Sequence, residues 1–260
     1  MIDNRSMRDD ILLIDKPAGW TSFDVVAKIR SQIRADYRAR GEKPTKRQLR
    51  VGHAGTLDPF ATGLLVILLG DACKRAGEFL KLDKSYEATI VLGATSTTGD
   101  PEGEIVADSE WKIEDSKDIQ PSSNSYLPNA DDIAAALSGL TGEITQIPPV
   151  YSAIKIGGER AYKLARAGKS VDMPPRQVTI HSLELLSYSY PELHIRTHVS
   201  SGTYIRTLAE DIGRALGIGA YTCELRRTQI GDYSVVDAVA VDLYRSSDWF
   251  IKLKRNTSYT

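Results

Sequence analysis

Residues 51–70, VGHAGTLDPFATGLLVILLG, constrain the chain most. A Gly-rich loop runs directly into the longest apolar run, Leu64–Leu69. That run is about a third of the length a membrane-spanning helix needs, so it belongs in a folded core. A chain of 260 residues, 42% hydrophobic and 26% charged, supplies such a core in one large domain, or in one domain with a small appendage. Within the loop, Asp58-Pro59 reads as a possible helix start, with Asp as N-cap and Pro at the first helical position. The same carboxylate on a Gly- and Thr-rich turn also reads as a nucleophile or acid–base group. Spacing alone leaves both readings open.

Around this stretch the pattern is mixed. ILLID (11–15) reads as a short buried strand, followed by the turn KPAGWTS. Thr21–Asp24 is a capping box for a helix that repeats Phe23, Val26, Ile29 and Ile33. Residues 36–50 read as a basic loop, and 71–82 as helical. Tyr86–Leu92 reads as a strand, and Asn129–Gly139 as a helix. Residues 147–169 hold a strand-like piece, a Gly-Gly turn and a short basic helix closed by Gly168. Residues 178–190 and 192–200 alternate as a hairpin around Tyr190-Pro191, 202–217 become an amphipathic helix, and 223–231 form the last strand. The tail is polar. Strands and helices mix without strict alternation, which implies an α+β sheet fold and not a doubly wound one.

The formal net charge of −1 hides a segregation. Nine Lys or Arg lie between Lys28 and Arg50 against Asp36 and Glu42, and six between Lys155 and Arg176 against Glu159 and Asp172. Ten acidic residues lie between Gly99 and Asp132 against Lys112 and Lys117. Such local positive faces can hold phosphates even when the total is near zero; a charge run is also, plainly, solvated surface. No secretory signal and no membrane segment are expected. Cys73 and Cys223 have neither metal-ligand spacing nor a disulfide framework, which fits a reducing, cytoplasmic compartment. His194 and His198 sit in an alternating, strand-like stretch, so no metal site is expected.

Six motifs, in order, carry a resemblance. GHAGTLDPFATGLL (52–65) closely resembles the catalytic motif of the TruB-type tRNA pseudouridine synthases, and LLIDKPAGWTS (12–22) their N-terminal motif. SYEATIVLG (85–93), IPPVYSAIK (147–155), GTYIRTLAEDIG (202–213) and ELRR (224–227) are similar to the remaining signatures. The resemblance spans roughly residues 10–235, and six motifs in register are far more specific than one short match.

The resemblance implies a pseudouridine synthase fold: a mixed, largely antiparallel sheet flanked by helices, with an RNA-gripping thumb inserted at 145–176. It implies a cofactor-free isomerase acting on uridine 55 in the T-arm of tRNA. Asp58 is the implied nucleophile, and Arg206 the cation that keeps it ionised. Tyr86 would stack on the flipped base, with Tyr204 and Leu225 also in the pocket. His53 would hold the splayed RNA loop. Lys16 and Pro17 would brace the active-site loop, with Lys16, Lys74 and Lys155 also as substrate contacts. Without the resemblance, Tyr86, Tyr204 and Leu225 read as core, Arg206 as a surface arginine, and Arg226 and Arg227 as RNA contacts or strand-edge charges. The thumb alternatively reads as a simple helical hairpin.

The expected catalytic domain covers 8–245, with a basic loop at 34–50 longer than the family's and a polar tail at 246–260. About thirty residues follow ELRR, so a C-terminal PUA-type domain is not expected. A monomer is the default. A guide-dependent synthase working in a ribonucleoprotein and a tRNA-folding chaperone are the competing readings.

Overall fold

The computed structural model describes residues 11–108, 127–152 and 154–241, and the backbone of 111–115 and 118–121. The polar tail and part of the acidic stretch fall outside the described residues. The chain divides into two compact units, Met1–Leu82 with Arg226–Thr260, and Asp83–Leu225.

The first unit opens with β1 (Ile11–Lys16), α1 (Ser22–Ala39), β2 (Val51–His53) and β3 (Thr62–Leu69). A 3-10 turn (Gly70–Arg75) and α2 (Ala76–Leu80) follow. β3 explains the long apolar run. It pairs antiparallel with β1 along Ile11–Lys16 and with β2 along Val51–His53. Side chains alternate across a strand. Leu65, Ile67 and Leu69 enter one core with Leu12, Ile14 and Val25, Val26, Ile29 and Ile33 of α1. Leu64, Val66 and Leu68 enter another with Leu13, Ala72, Phe79 and Ile230. A strand covered on both faces reads as a continuous apolar run.

The helix start expected at Asp58-Pro59 does not form. The Asp58 carbonyl accepts a turn bond from the Ala61 amide at 3.2 Å, and the chain passes straight into β3. Burial on two faces decides this, since a helix would turn only one stripe of the run toward either core. The 36–50 loop is also shorter than expected. α1 is capped by the Thr21–Asp24 box and continues to Ala39, because Tyr37 extends its buried stripe. Beyond it, Thr45 and Gln48 cap each other and Leu49 packs against the α1 core.

The second unit contains β4 (Lys84–Leu92), β5 (Ala94–Ser96), β6 (Ile105–Ala107), β7 (Trp111–Asp115), β8 (Asp118–Pro121), α3 (Ala130–Gly139) and β9 (Gly142–Gln146). Next come the short hairpin β10 (Lys155–Ile156) and β11 (Glu159–Arg160), then α4 (Ala161–Arg166). The unit closes with β12 (Arg176–Ser189), β13 (Glu192–Val199), α5 (Ile205–Leu216) and the first residues of β14 (Ala220–Ile230). Its strand order is β14–β4–β13–β12–β9. The β13–β4, β12–β13 and β12–β9 pairs are antiparallel. Asn129 caps α3 with a second capping box, and Gly217 ends α5 in the left-handed conformation. α3 packs against α5 and β12.

From Arg226 onward β14 belongs to the first unit, where it runs parallel to β3 at Thr62 and Gly63. β15 (Tyr233–Ser234) folds back on it, and β16 (Val239–Ala240) lies parallel to β1. Mixed strands with helices make the α+β class expected from the sequence.

Candidate active site

In the first unit the loop between β2 and β3 is held almost residue by residue. The buried Ser22 hydroxyl accepts from the Leu57 amide at 2.9 Å and donates to the Leu57 carbonyl at 3.2 Å. Lys16 is wholly buried, and its ammonium donates to the carbonyls of Pro17 (2.8 Å), Trp20 (2.7 Å) and Pro59 (3.2 Å). The Gly19 amide donates to the same Pro59 carbonyl at 2.8 Å. Arg227 is buried as well. Its guanidinium donates to the carbonyls of Leu64 (2.8 Å), Thr56 (3.3 Å) and Gly55 (3.1 Å). Asp58 therefore sits between two clamped neighbours, Leu57 and Pro59, with its own side chain half-buried.

The two buried cations are needed because the loop's carbonyls point inward. A buried carbonyl without a donor costs about 1–3 kcal/mol. Gly55 adopts φ +102° with the Arg227 fork beside it, a conformation other residues rarely take. The outcome is a rigid turn that presents a carboxylate, which suits a reactive group.

The other residues singled out in this unit stand on β2, the 3-10 turn and β14. His53 is half-buried on β2 in register with Ile67. Lys74 is largely exposed and lies 3.4 Å from Asp71, which also pairs with Arg47 and Arg50. Arg226 binds Asp15 with both guanidinium nitrogens, at 3.0 and 2.7 Å. The sequence alone leaves Arg226 and Arg227 as RNA contacts or edge charges; in the structure Arg227 is buried, whereas the Arg226 side chain stays 39% exposed beside Asp15. The missed signal was register. The parallel β3–β14 pairing sets Arg227 opposite Gly63, where a Cβ would fall 2.3 Å from the Arg227 carbonyl oxygen.

In the second unit Tyr86 lies on β4 in register with Thr197, and its ring is buried. Leu225 is buried on β14. Tyr204 precedes α5. Gln146 fixes its backbone through both amide atoms, at 3.1 and 3.3 Å, and the Arg176 guanidinium lies 5.5 Å from its ring centre. Lys155 is exposed on the β10–β11 hairpin.

Arg206 stands in the first turn of α5, not on the surface. It pairs with Asp100 at 3.0 Å, both side chains nearly fully buried. It also donates to the carbonyls of Thr98 (2.7 Å) and Tyr151 (2.9 Å). The Thr98 hydroxyl and the Glu102 amide donate to the other oxygen of Asp100, at 2.6 and 3.0 Å. Arg206 thus anchors the TSTTGD turn and the Tyr151 segment to α5. In the sequence Asp100 merges with the acidic run, and no local signal sets it apart. Beside it, burial pushes the Glu210 carboxyl above its usual range; Asp211 adds to the rise, while Arg214 and Arg206 oppose it.

Residues 43–205 match the model of the TruB family pseudouridylate synthase N-terminal domain, and residues 206–258 that of the tRNA pseudouridylate synthase B C-terminal domain. The chain is 44% identical over 237 residues to the tRNA pseudouridine synthase B of Aromatoleum aromaticum, covering 91% of this chain and 68% of that protein. It is 41% identical over 244 residues to that of Thermobifida fusca, covering 91% and 74%. A solved chain from a Cbf5–Nop10–Gar1 complex superposes with a TM-score of 0.62 at 25% identity, covering 96% of this chain and 56% of that one. The chain spans about two thirds of the length of such curated relatives and about half that of the solved chain. A clamped carboxylate loop, a fold shared with that solved chain and matches along nearly all of the sequence agree: the chain belongs to the TruB family of pseudouridylate synthases.

Proposed function

We propose that this chain isomerises uridine to pseudouridine in tRNA, at position 55 of the T-loop, with Asp58 as nucleophile. The observation that carries the reading is the clamped turn. Ser22, Lys16 and Arg227 fix the backbone on either side of Asp58, so the carboxylate meets its target without reorganising. The similarity to tRNA pseudouridine synthase B proteins supports tRNA as the substrate.

In the reaction the N1–C1′ bond breaks, the base rotates, and C5 bonds to C1′. The C5 proton leaves and N1 gains one, so the change is an isomerisation and needs no cofactor. Asp58 serves as an anion, by attacking C1′ or C6 or by taking the C2′ proton. Arg206 is the cation assigned to favour that anion. The uridine has to leave its stack first, and Tyr86 offers an aromatic face that offsets part of the unstacking cost of a few kcal/mol. His53, Tyr204 and Leu225 complete the substrate contacts, with Lys74 and Lys155 on phosphates. Lys16, being wholly buried, acts by bracing. The segment 145–176, with its exposed basic hairpin and α4, is the RNA-gripping thumb. The protein acts as a monomer in the cytoplasm.

The test is incubation with unmodified tRNA transcript, followed by mapping of pseudouridine. Wild type is expected to modify the T-loop uridine stoichiometrically, and Asp58→Asn to give no product while still binding tRNA. Product from the variant, or none from the wild type, overturns the mechanism. An isolated T-arm stem-loop is expected to be a substrate.

A further inference from the structure

A side-chain cluster in the second unit takes no part in the chemistry above. Asp83 immediately precedes β4, His198 lies on β13 in register with Ser85, and His181 lies on β12. His181 sits at a break in the β12–β13 register, between the pairs Ile180–Val199 and Ser182–His198. A bulge of this kind leaves one residue unpaired and re-aims its side chain. Here the two imidazole centres come to 4.9 Å, with the rings tilted by 35°. Both rings turn Nε2 toward one oxygen of Asp83, at 3.1 Å from His181 and 4.0 Å from His198. The Ser85 hydroxyl lies 3.0 Å from Nδ1 of His198, which fixes that ring with Nε2 facing the carboxylate. Metal-bound histidines are characteristically held in this way through their second nitrogen. The three ligand atoms lie within 4.8 Å of one another.

We propose that Asp83, His181 and His198 bind a divalent cation of the zinc class, with a further coordination position open to water. Tetrahedral zinc, with bonds of about 2.0–2.2 Å, sets its ligand atoms about 3.3 Å apart. One pair already has that spacing, and the others close by rotation of side chains that are 38%, 42% and 44% exposed. Two imidazoles and one carboxylate select zinc, copper or nickel over magnesium and calcium, which prefer all-oxygen shells. The ion ties β12 and β13 to the residue that leads into β4, three positions before Tyr86. In the sequence, His194 and His198 are the two histidines close in spacing, and their strand-like alternation speaks against a site between them. The bulge instead brings His198 to His181, seventeen positions away in sequence, and His194 bonds to Thr89 at 3.1 Å.

The site is tested by binding, independently of any activity on RNA. The full chain, stripped of metal with a chelator, is titrated with Zn²⁺ by calorimetry, and with Co²⁺ followed by visible absorption. One ion per chain is expected. His181→Gln and His198→Gln are each expected to weaken binding at least about tenfold, while the control His194→Gln leaves it unchanged. A second readout needs no variant: in the wild type, Zn²⁺ is expected to shift the imidazole nitrogen resonances of His181 and His198 and not those of His53 and His194. Absence of saturable binding, binding undiminished in a chain carrying both His181→Gln and His198→Gln, or zinc-induced shifts confined to other histidines would each overturn the proposal.

Discussion

Buried charge does two different jobs at the residue scale. Lys16 and Arg227 serve backbone carbonyls, whereas Arg206 serves a carboxylate, Asp100, besides the carbonyls of Thr98 and Tyr151. Removing the Lys16 donor takes it from the Pro17 and Trp20 carbonyls, while the Pro59 carbonyl keeps the Gly19 amide, so Lys16→Met is expected to cost about 2–3 kcal/mol in a denaturant melt. It should lower single-turnover pseudouridine formation more than tRNA affinity, because the loop stays but loosens. Asp100→Asn leaves the Arg206 charge in a buried setting and is expected to destabilise by about 3 kcal/mol. Glu210 behaves in the opposite sense. Its folded pKa lies above the ordinary value, chiefly through burial. Between those two values the folded state holds more protons than the unfolded one, so stability falls as pH rises through that window. Glu210→Gln mimics the protonated form. It is expected to melt higher than wild type near neutral pH, with the advantage vanishing below about pH 4, the ordinary carboxyl range. A series of melting curves across pH checks the sign.

Element by element, β3 is the hinge of the first unit's architecture. Its residues fill two cores alternately, so its pairing with β14 must be close. Gly63 allows that approach: φ is +100°, and a Cβ would lie 2.3 Å from a backbone oxygen. Gly63→Ala is therefore expected to cost about 3 kcal/mol or more, read as loss of thermal stability together with activity. The start of α1 is a milder case. Thr21 and Asp24 satisfy each other's backbone amides, and Thr21→Ala is expected to cost about 1 kcal/mol with little effect on catalysis.

For the whole molecule the segregated charge matters more than its sum of −1. The basic stretch 28–50 does not stand wholly free. Arg47 and Arg50 converge on Asp71 with Lys74, and Arg40 lies over Tyr37 and pairs with Glu42. Neutralising Arg38, Arg40, Lys46 and Arg47 together is expected to weaken tRNA binding and flatten its dependence on salt. Asp71→Asn releases three cations and should do the reverse, tightening binding at low salt and steepening the slope. Filter-binding titrations at several salt concentrations distinguish the two signs.

The sequence by itself determined the elements whose signals are local: the Thr21–Asp24 capping box, the helix start at Asn129, the β12–β13 hairpin, the Gly217 stop of α5 and the α+β class. It also carried the family, because six short motifs in order are a linear property. Tertiary structure decided what depends on partners distant in the chain. An apolar run is compatible with strand or helix until the layers on its two sides exist, so the Asp58-Pro59 helix start gave way to a turn and β3. Side-chain direction is likewise invisible in composition. Arg206 and Arg227 look like surface charge in a string of letters, and become anchors only because register and burial turn them toward Asp100 and the loop that carries Asp58. The bulge that joins His181 to His198 is of the same kind, since one extra residue in a strand pairing leaves no mark on the sequence and changes which side chains meet.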